Sequence, residues 1–182
     1  LHYKTKRSFD NILVSSKIEN EILKTWIFND ERTSVEGNLQ LKLIDFNGNT
    51  VWEDSQFVKT MPNTSAVKHQ LDVNTFQINK ADVVLVSKFN NKQALYYLVK
   101  PKDLNLKIAK IKTIITKTKD GFDIELQSKT LQKDVFLHTK AKGHFSDNFF
   151  DMLPNEKIII HFKTETESLE DLELKTFNTF IR

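Results

Sequence analysis

The stretch GHFSDNFFDMLPNEK, residues 143–157, holds two aspartates four residues apart, Asp147 and Asp151, beside three phenylalanines. Two acids could perform paired acid and nucleophile chemistry, or bind calcium through oxygen together with Asn148. Acid catalysis needs a carboxyl desolvated enough to raise its pKa, and calcium loops of the EF-hand type need regular alternation and a turn glycine. Neither condition is met here. A second acidic run, TETESLEDLEL, carries Glu165, Glu167, Glu170, Asp171 and Glu173, and reads as a polar connection between strands. His138, His144 and His161 could converge on a metal, but neither HxH nor HExxH spacing occurs, while His2 and His69 stand alone. Nothing resembles a Gly-x-Ser-x-Gly nucleophile elbow, and the four glycines are too isolated for a phosphate loop. We therefore assign no catalytic, cofactor-binding or metal-ligating residue and no cofactor. Instead, Phe145, Ser146, Asp147, Asn148, Phe149 and Phe150 are expected to form a structural turn. In it Asp147 and Asn148 cap backbone amides and the phenylalanines anchor from beneath.

Aromatic side chains offer a different chemistry, stacking on sugar rings. Trp26 lies in LKTWIF, apolar on both parities, so it is expected in the core. Trp52, beside Val51 and Glu53, is balanced between core and a sugar or partner interface. It is retained as the candidate sugar or interface contact.

The elements that would position these groups are short. Twelve runs of four to nine residues, rich in β-branched and aromatic side chains, read as strands: NILVSSKI, EILKTWIF, NLQLKLIDF, TVWEDSQFV, AVKHQLDV, DVVLVSKF and ALYYLVK, then KIKTIITKT, FDIELQS, DVFLHTK, KIIIHFK and LELKTFNTF. In NLQLKL the alternation is clean, with Leu39, Leu41 and Leu43 on one face. FNGN, KDGF and FNNKQ read as hairpin turns, and fifteen asparagines against four glycines suggest that Asn takes over much of the turn work. No amphipathic helix of ten residues stands out; LHYKTKRSF reads as the end of a preceding helix. The expected fold is all-β, two consecutive immunoglobulin-like antiparallel β-sandwiches. The boundary falls at LVKPKDLNL, giving domains at 1–101 and 102–182, because Pro101 and its flanking lysines suit a hydrated linker.

Composition narrows the partners. At 182 residues with 39% hydrophobic content, the chain can bury substantial cores. All but three of its 27 basic residues are lysine, scattered rather than clustered, so no nucleic-acid partner is expected. No run approaches a membrane span, and the absence of cysteine leaves the redox compartment open. Leu1 in place of an initiator methionine suggests a piece of something longer.

Four segments together carry a family resemblance. HFSDNFFDMLP closely resembles a segment in the last immunoglobulin-like domain of β-mannosidases of glycoside hydrolase family two. LHYKTKRSFDNILVS is similar to the passage by which those enzymes leave their catalytic barrel, so residues 1–8 are expected to be that exit. FNDERTSVEGNLQLKLIDFNGN resembles the opening hairpins of the next domain, and LYYLVKPKDLNL its exit into the final one. The resemblance implies a parent that removes terminal non-reducing β-D-mannose with two glutamates on a (β/α)8 barrel upstream of Leu1. None of those glutamates maps onto this sequence. It implies non-catalytic accessory domains partnered by the upstream barrel, with a second subunit as a further candidate partner and mannosides met only through the parent enzyme. A periplasmic or secreted setting suits such a parent. The alternatives from other classes are a carbohydrate-binding module and an adhesive β-sandwich tandem of an unrelated surface protein.

Overall fold

The computed structural model describes residues 2–180, and nearly all of its regular structure is antiparallel β. A seven-residue helix, α1 (His2–Ser8), stands at the start. Two compact units account for the chain: Thr5–Asp45 with Asn49–Asn105, and Leu1–Lys4 with Phe46–Gly48 and Leu106–Arg182. No helix among the described residues is long and apolar enough to cross a membrane.

The N-terminal unit contains β1 (Ile12–Glu19), β2 (Ile22–Asn29), β3 (Val35–Asp45), β4 (Thr50–Thr60), β5 (Thr64–Asp72), β6 (Val83–Phe89) and β7 (Lys92–Tyr97). They form a three-stranded sheet, β1-β2-β5, and a four-stranded sheet, β4-β3-β6-β7. Period-two patterning decides which side chains face inward. Leu39, Leu41 and Leu43 of β3 are buried while Gln40 and Lys42 are exposed. They share a core with Leu23 and Ile27 of β2 and with Leu85 and Phe89 of β6. Inside, the Ser16 hydroxyl lies 2.9 Å from that of Thr25 and 3.3 Å from that of Ser87, so these buried polar groups satisfy one another. That arrangement corrects the expectation for Trp26. Its neighbour Thr25 takes the inward position, so Trp26 is only half-buried on the other face of β2, where the pairing with β5 slips by one residue.

The C-terminal unit contains β8 (Lys112–Thr118), β9 (Gly121–Gln127), β10 (Gln132–His138), β11 (His144–Phe145), β12 (Phe150–Met152), β13 (Lys157–Lys163) and β14 (Glu173–Lys175). Its sheets run β11-β13-β9-β8 and β12-β10-β14. Ile124, Leu126, Val135, Leu137, Ile160 and Phe162 dominate the core between them. Two departures from the sequence expectation matter. The segment LELKTFNTF is a strand only to Lys175, after which Phe177–Thr179 forms a 3-10 turn. The turn exists because the Asn178 side chain is buried: its Oδ1 accepts from Lys133 N at 2.8 Å, and its Nδ2 donates to Leu131 O and Lys107 O. The second departure is that two short strands, β11 and β12, take up the two ends of the turn expected at residues 145–150.

Asparagine does much of the turn work. Asn20, Asn63, Asn90 and Asn155 all adopt positive φ, a region that Asn tolerates better than most residues.

Candidate functional site

The site is built on β10, a strand broken by a bulge. Gln132 pairs with Met152 and Val135 with Phe150, leaving Lys133 and Asp134 between them, and Asp134 takes φ +48°. Asp151 holds the bulge: its Oδ1 accepts from Asp134 N at 2.7 Å and lies 3.7 Å from Lys133 Nζ. Lys133 Nζ in turn meets Asp134 Oδ2 at 2.9 Å. Asp151 is thus committed to a backbone amide and an ammonium.

The chain preceding β12 is fastened residue by residue. Phe145 is buried with its ring 4.4 Å from that of Phe162. Ser146 N donates to His161 O at 2.8 Å, and Ser146 Oγ accepts from His161 N at 3.0 Å, which extends the β11–β13 pairing. Asp147 Oδ1 accepts from Asn148 N at 2.7 Å. Asn148 is buried, and its amide pairs with Leu137 of β10 like another strand residue: Oδ1 accepts from Leu137 N and Nδ2 donates to Leu137 O, both at 2.9 Å. Here a side chain continues the ladder where β12 has not yet begun. Phe150 follows, buried opposite Val135.

Phe149 does not follow the expectation that all three phenylalanines anchor the turn from beneath. With Asn148 pinned inward and Phe150 already in the core, Phe149 adopts φ +56° and remains 40% exposed. Its ring stacks on Phe136 at 4.6 Å and 25°, and Phe136 stacks on His138 at 6.1 Å. Phe177 and Phe180 join them around a recess of about 240 Å³ that Asp134, Lys175 and Thr176 also line. Sequence reading did not group these four rings. The available signal was Phe136 in DVFLHTK, on the opposite parity from the core residues Val135 and Leu137.

The other candidates are dispersed. His144 stacks on Tyr3 at 6.0 Å; burial first, and then the Asp147 carboxylate, raise the Tyr3 phenol above its ordinary pKa. His161 sits between Asp123 at 2.8 Å and Asp120 at 3.4 Å. No group of three His, Cys, Asp or Glu side chains suited to a metal occurs among the described residues. In the acidic run, Glu167 pairs with Lys117, while Asp171 accepts from Thr139 Oγ1 at 2.6 Å and Lys140 N at 2.7 Å. An open recess of about 850 Å³ lies among the turns around Asp120, Lys142 and Glu165, lined by charges of both signs. In the N-terminal unit, Trp52 is half-buried against the core, 5.6 Å from Phe76 and 5.9 Å from His69. His69 Nε2 lies 3.0 Å from Asp54 Oδ2; that contact, followed by the Ser55 amide, holds the Asp54 carboxyl below its ordinary pKa.

Comparison with known proteins adds identity to this geometry. A family model described as a Mannosidase Ig/CBM-like domain matches residues 21–103, and the Ig_mannosidase model, an Ig-fold domain, matches residues 106–177. No curated protein sequence matches. Among solved structures, the β-D-mannosidase from Dictyoglomus thermophilum superposes with a TM-score of 0.81 at 20% identity, over 97% of this chain and 23% of that one. The exo-chitosanase CsxA of Amycolatopsis orientalis superposes with a TM-score of 0.64 at 12% identity, over 97% of this chain and 26% of that one. At these identities the likeness establishes the fold, and the chain spans about a quarter of the length of each protein. With both family models matched in succession, this chain belongs to the immunoglobulin-like domain families of mannosidases.

Proposed function

We propose that the chain is a non-catalytic accessory pair of a β-mannosidase whose whole polypeptide hydrolyses terminal non-reducing β-D-mannose residues, and that the pair stabilises the catalytic barrel by packing on it. The succession of two mannosidase family models carries this reading, since sandwiches of this type arise in many functions and the fold alone would not. We place the division between the domains near Pro101, supported by the ends of the two matches at residues 103 and 106. The chemistry is consistent with an accessory role. Asp147 and Asp151 are each engaged by a backbone amide, and the Asp171 carboxyl is held below its ordinary pKa by Thr139 and then by the Lys140 amide, which makes Asp171 a poor general acid. Residues 145–150 act as a structural fastening of β12 to β10 and β13, and Trp52 serves as a packing or interface residue.

Deleting residues 1–182 from the full-length gene product tests the role. The expected result is a shorter half-life at elevated temperature with an unchanged KM for an aryl β-mannoside. A raised KM with unchanged half-life would instead favour sugar binding by this pair.

A further inference from the structure

We propose that a lysine-walled recess in the C-terminal unit binds a tetrahedral oxyanion, phosphate or sulfate, either free or carried as an ester on a small sugar. Such a site stands whether or not the chain accompanies a mannosidase. Its walls come from three places in the chain: Lys110 and Lys112 at the entry to β8, Gln127, Ser128 and Lys129 at the end of β9, and Asn155 in the turn before β13.

Hydrogen bonds fix that frame. Gln127 Nε2 donates to Asn155 O at 3.0 Å, Asn155 N donates to Ser128 O at 2.7 Å, and Lys112 pairs with Gln127 in the β8–β9 ladder. The walls are in place before a ligand arrives, which lowers the ordering cost of binding.

The lining carries three ammonium groups and no carboxylate. Lys110, Lys112 and Lys129 are all exposed, and among the described residues none of them has an ion-pair or side-chain hydrogen-bond partner. Other lysines of these strands are paired: Lys157 meets Glu125 at 3.0 Å, and Lys117 meets Glu167. Three like charges around one concavity repel one another and raise the positive potential inside it. An anion there relieves the repulsion and is attracted by all three at once.

Ser128 supplies a hydroxyl donor. It is 3% exposed and lines the recess; its Oγ accepts from Thr130 N at 3.3 Å, while its own proton is committed to no acceptor among the described residues. A buried O–H without an acceptor favours a ligand that brings an oxygen.

The donor set selects the ligand. Lysine serves phosphate as a point charge, whereas a planar carboxylate is gripped best by a guanidinium fork, and no arginine is in the walls. A dianion also answers three positive charges better than a monocarboxylate does. At about 380 Å³, within the roughly 300–1,000 Å³ usual for small-molecule pockets, the recess has room for a sugar ring attached to the oxyanion. A neutral sugar would leave the three charges unanswered.

Isothermal titration calorimetry of the full-length gene product at low ionic strength tests this, with inorganic phosphate, inorganic sulfate, mannose 6-phosphate and mannose as probes. The oxyanions should bind and mannose should not. Lys110→Gln, Lys112→Gln and Lys129→Gln, at exposed positions, should each weaken binding about two- to five-fold, the worth of an exposed ion pair. The triple variant should lose at least about ten-fold. Lys142→Gln removes the same charge from an exposed lysine outside the recess and should leave the affinity unchanged. An unaltered melting temperature without ligand shows that each variant has folded. Tighter binding of mannose 6-phosphate than of inorganic phosphate identifies the ester as the ligand, and the opposite or equal order identifies the free ion. No oxyanion binding tighter than about 10 mM would overturn the site. So would binding kept within about two-fold by the triple variant, or an equal loss with Lys142→Gln.

Discussion

Asn148→Ala should destabilise the C-terminal unit severely without touching the N-terminal one. Asn148 is 4% exposed, and its amide satisfies both the N–H and the C=O of Leu137, itself 1% exposed. Truncation orphans both backbone groups, and each unsatisfied buried group costs about 1–3 kcal/mol. Allowing some water to enter the space left by the amide, the net loss should be about 2–4 kcal/mol. Asn148→Asp should cost at least as much at neutral pH, because a carboxylate keeps the acceptor for Leu137 N but opposes Leu137 O. Both tryptophans, Trp26 and Trp52, lie in the N-terminal unit, so their fluorescence monitors that unit while far-UV circular dichroism follows the whole chain. With m on the order of 1–3 kcal/mol/M for small domains, urea unfolding of Asn148→Ala by circular dichroism should show a component shifted down by about 1–2 M. The tryptophan transition should stay in place. A shift below about 0.3 M would show that Asn148 does not stand in for a strand residue.

Adjacent phenylalanines should behave oppositely in the same titration. Phe150→Ala, at a buried position, should cost about 3–5 kcal/mol, and Phe149→Ala only about 0.5–1.5 kcal/mol, the worth of one aromatic stack; equal losses would contradict the outward placement of Phe149. Asp171 should contribute to acid sensitivity. Its hydrogen bond from Thr139, followed by that from the Lys140 amide, lowers its folded pKa. Its contribution is therefore complete above the ordinary Asp value of about 3.9 and is lost as pH falls through the folded value. Asp171→Asn should flatten the stability profile below about pH 4, and parallel profiles for the variant and the parent would contradict that assignment. Tyr3 has the opposite sense: a phenol raised by burial and by Asp147 stabilises the fold below the ordinary Tyr value of about 10, and the contribution fades as pH rises through the folded value. Tyr3→Phe should remove that alkaline decline in stability.

The strands were legible because each is long enough to show its period. Leu39, Leu41 and Leu43 alternate with Gln40 and Lys42 in the sequence and do so in the sheet. The core strand β6 reads as the continuous run VVLVS, since both of its faces are buried. The strands β11 and β12, of two and three residues, have no period to read; the amide of Asn148 and the carboxylate of Asp151 hold them, and such tertiary bonds leave no local signal. Trp26 was misplaced for a related reason, as a run apolar on both parities does not say which side faces in. Here the Ser16–Thr25 hydrogen bond identifies the inner face. The aromatic recess was illegible because Phe136, Phe149, Phe177 and Phe180 meet only through the pairing of β10 with β12 and β14 and the turn anchored by Asn178.

The proposed accessory role has these two domains accompany a β-mannosidase without performing its chemistry. The direct test is to assay hydrolysis of an aryl β-mannoside by purified residues 1–182 beside the full-length product of the same gene. The accessory role predicts turnover by the full-length product and none by residues 1–182. Turnover by residues 1–182 that disappears on Asp147→Ala or Asp151→Ala, or a full-length product inert toward β-mannosides, would contradict it.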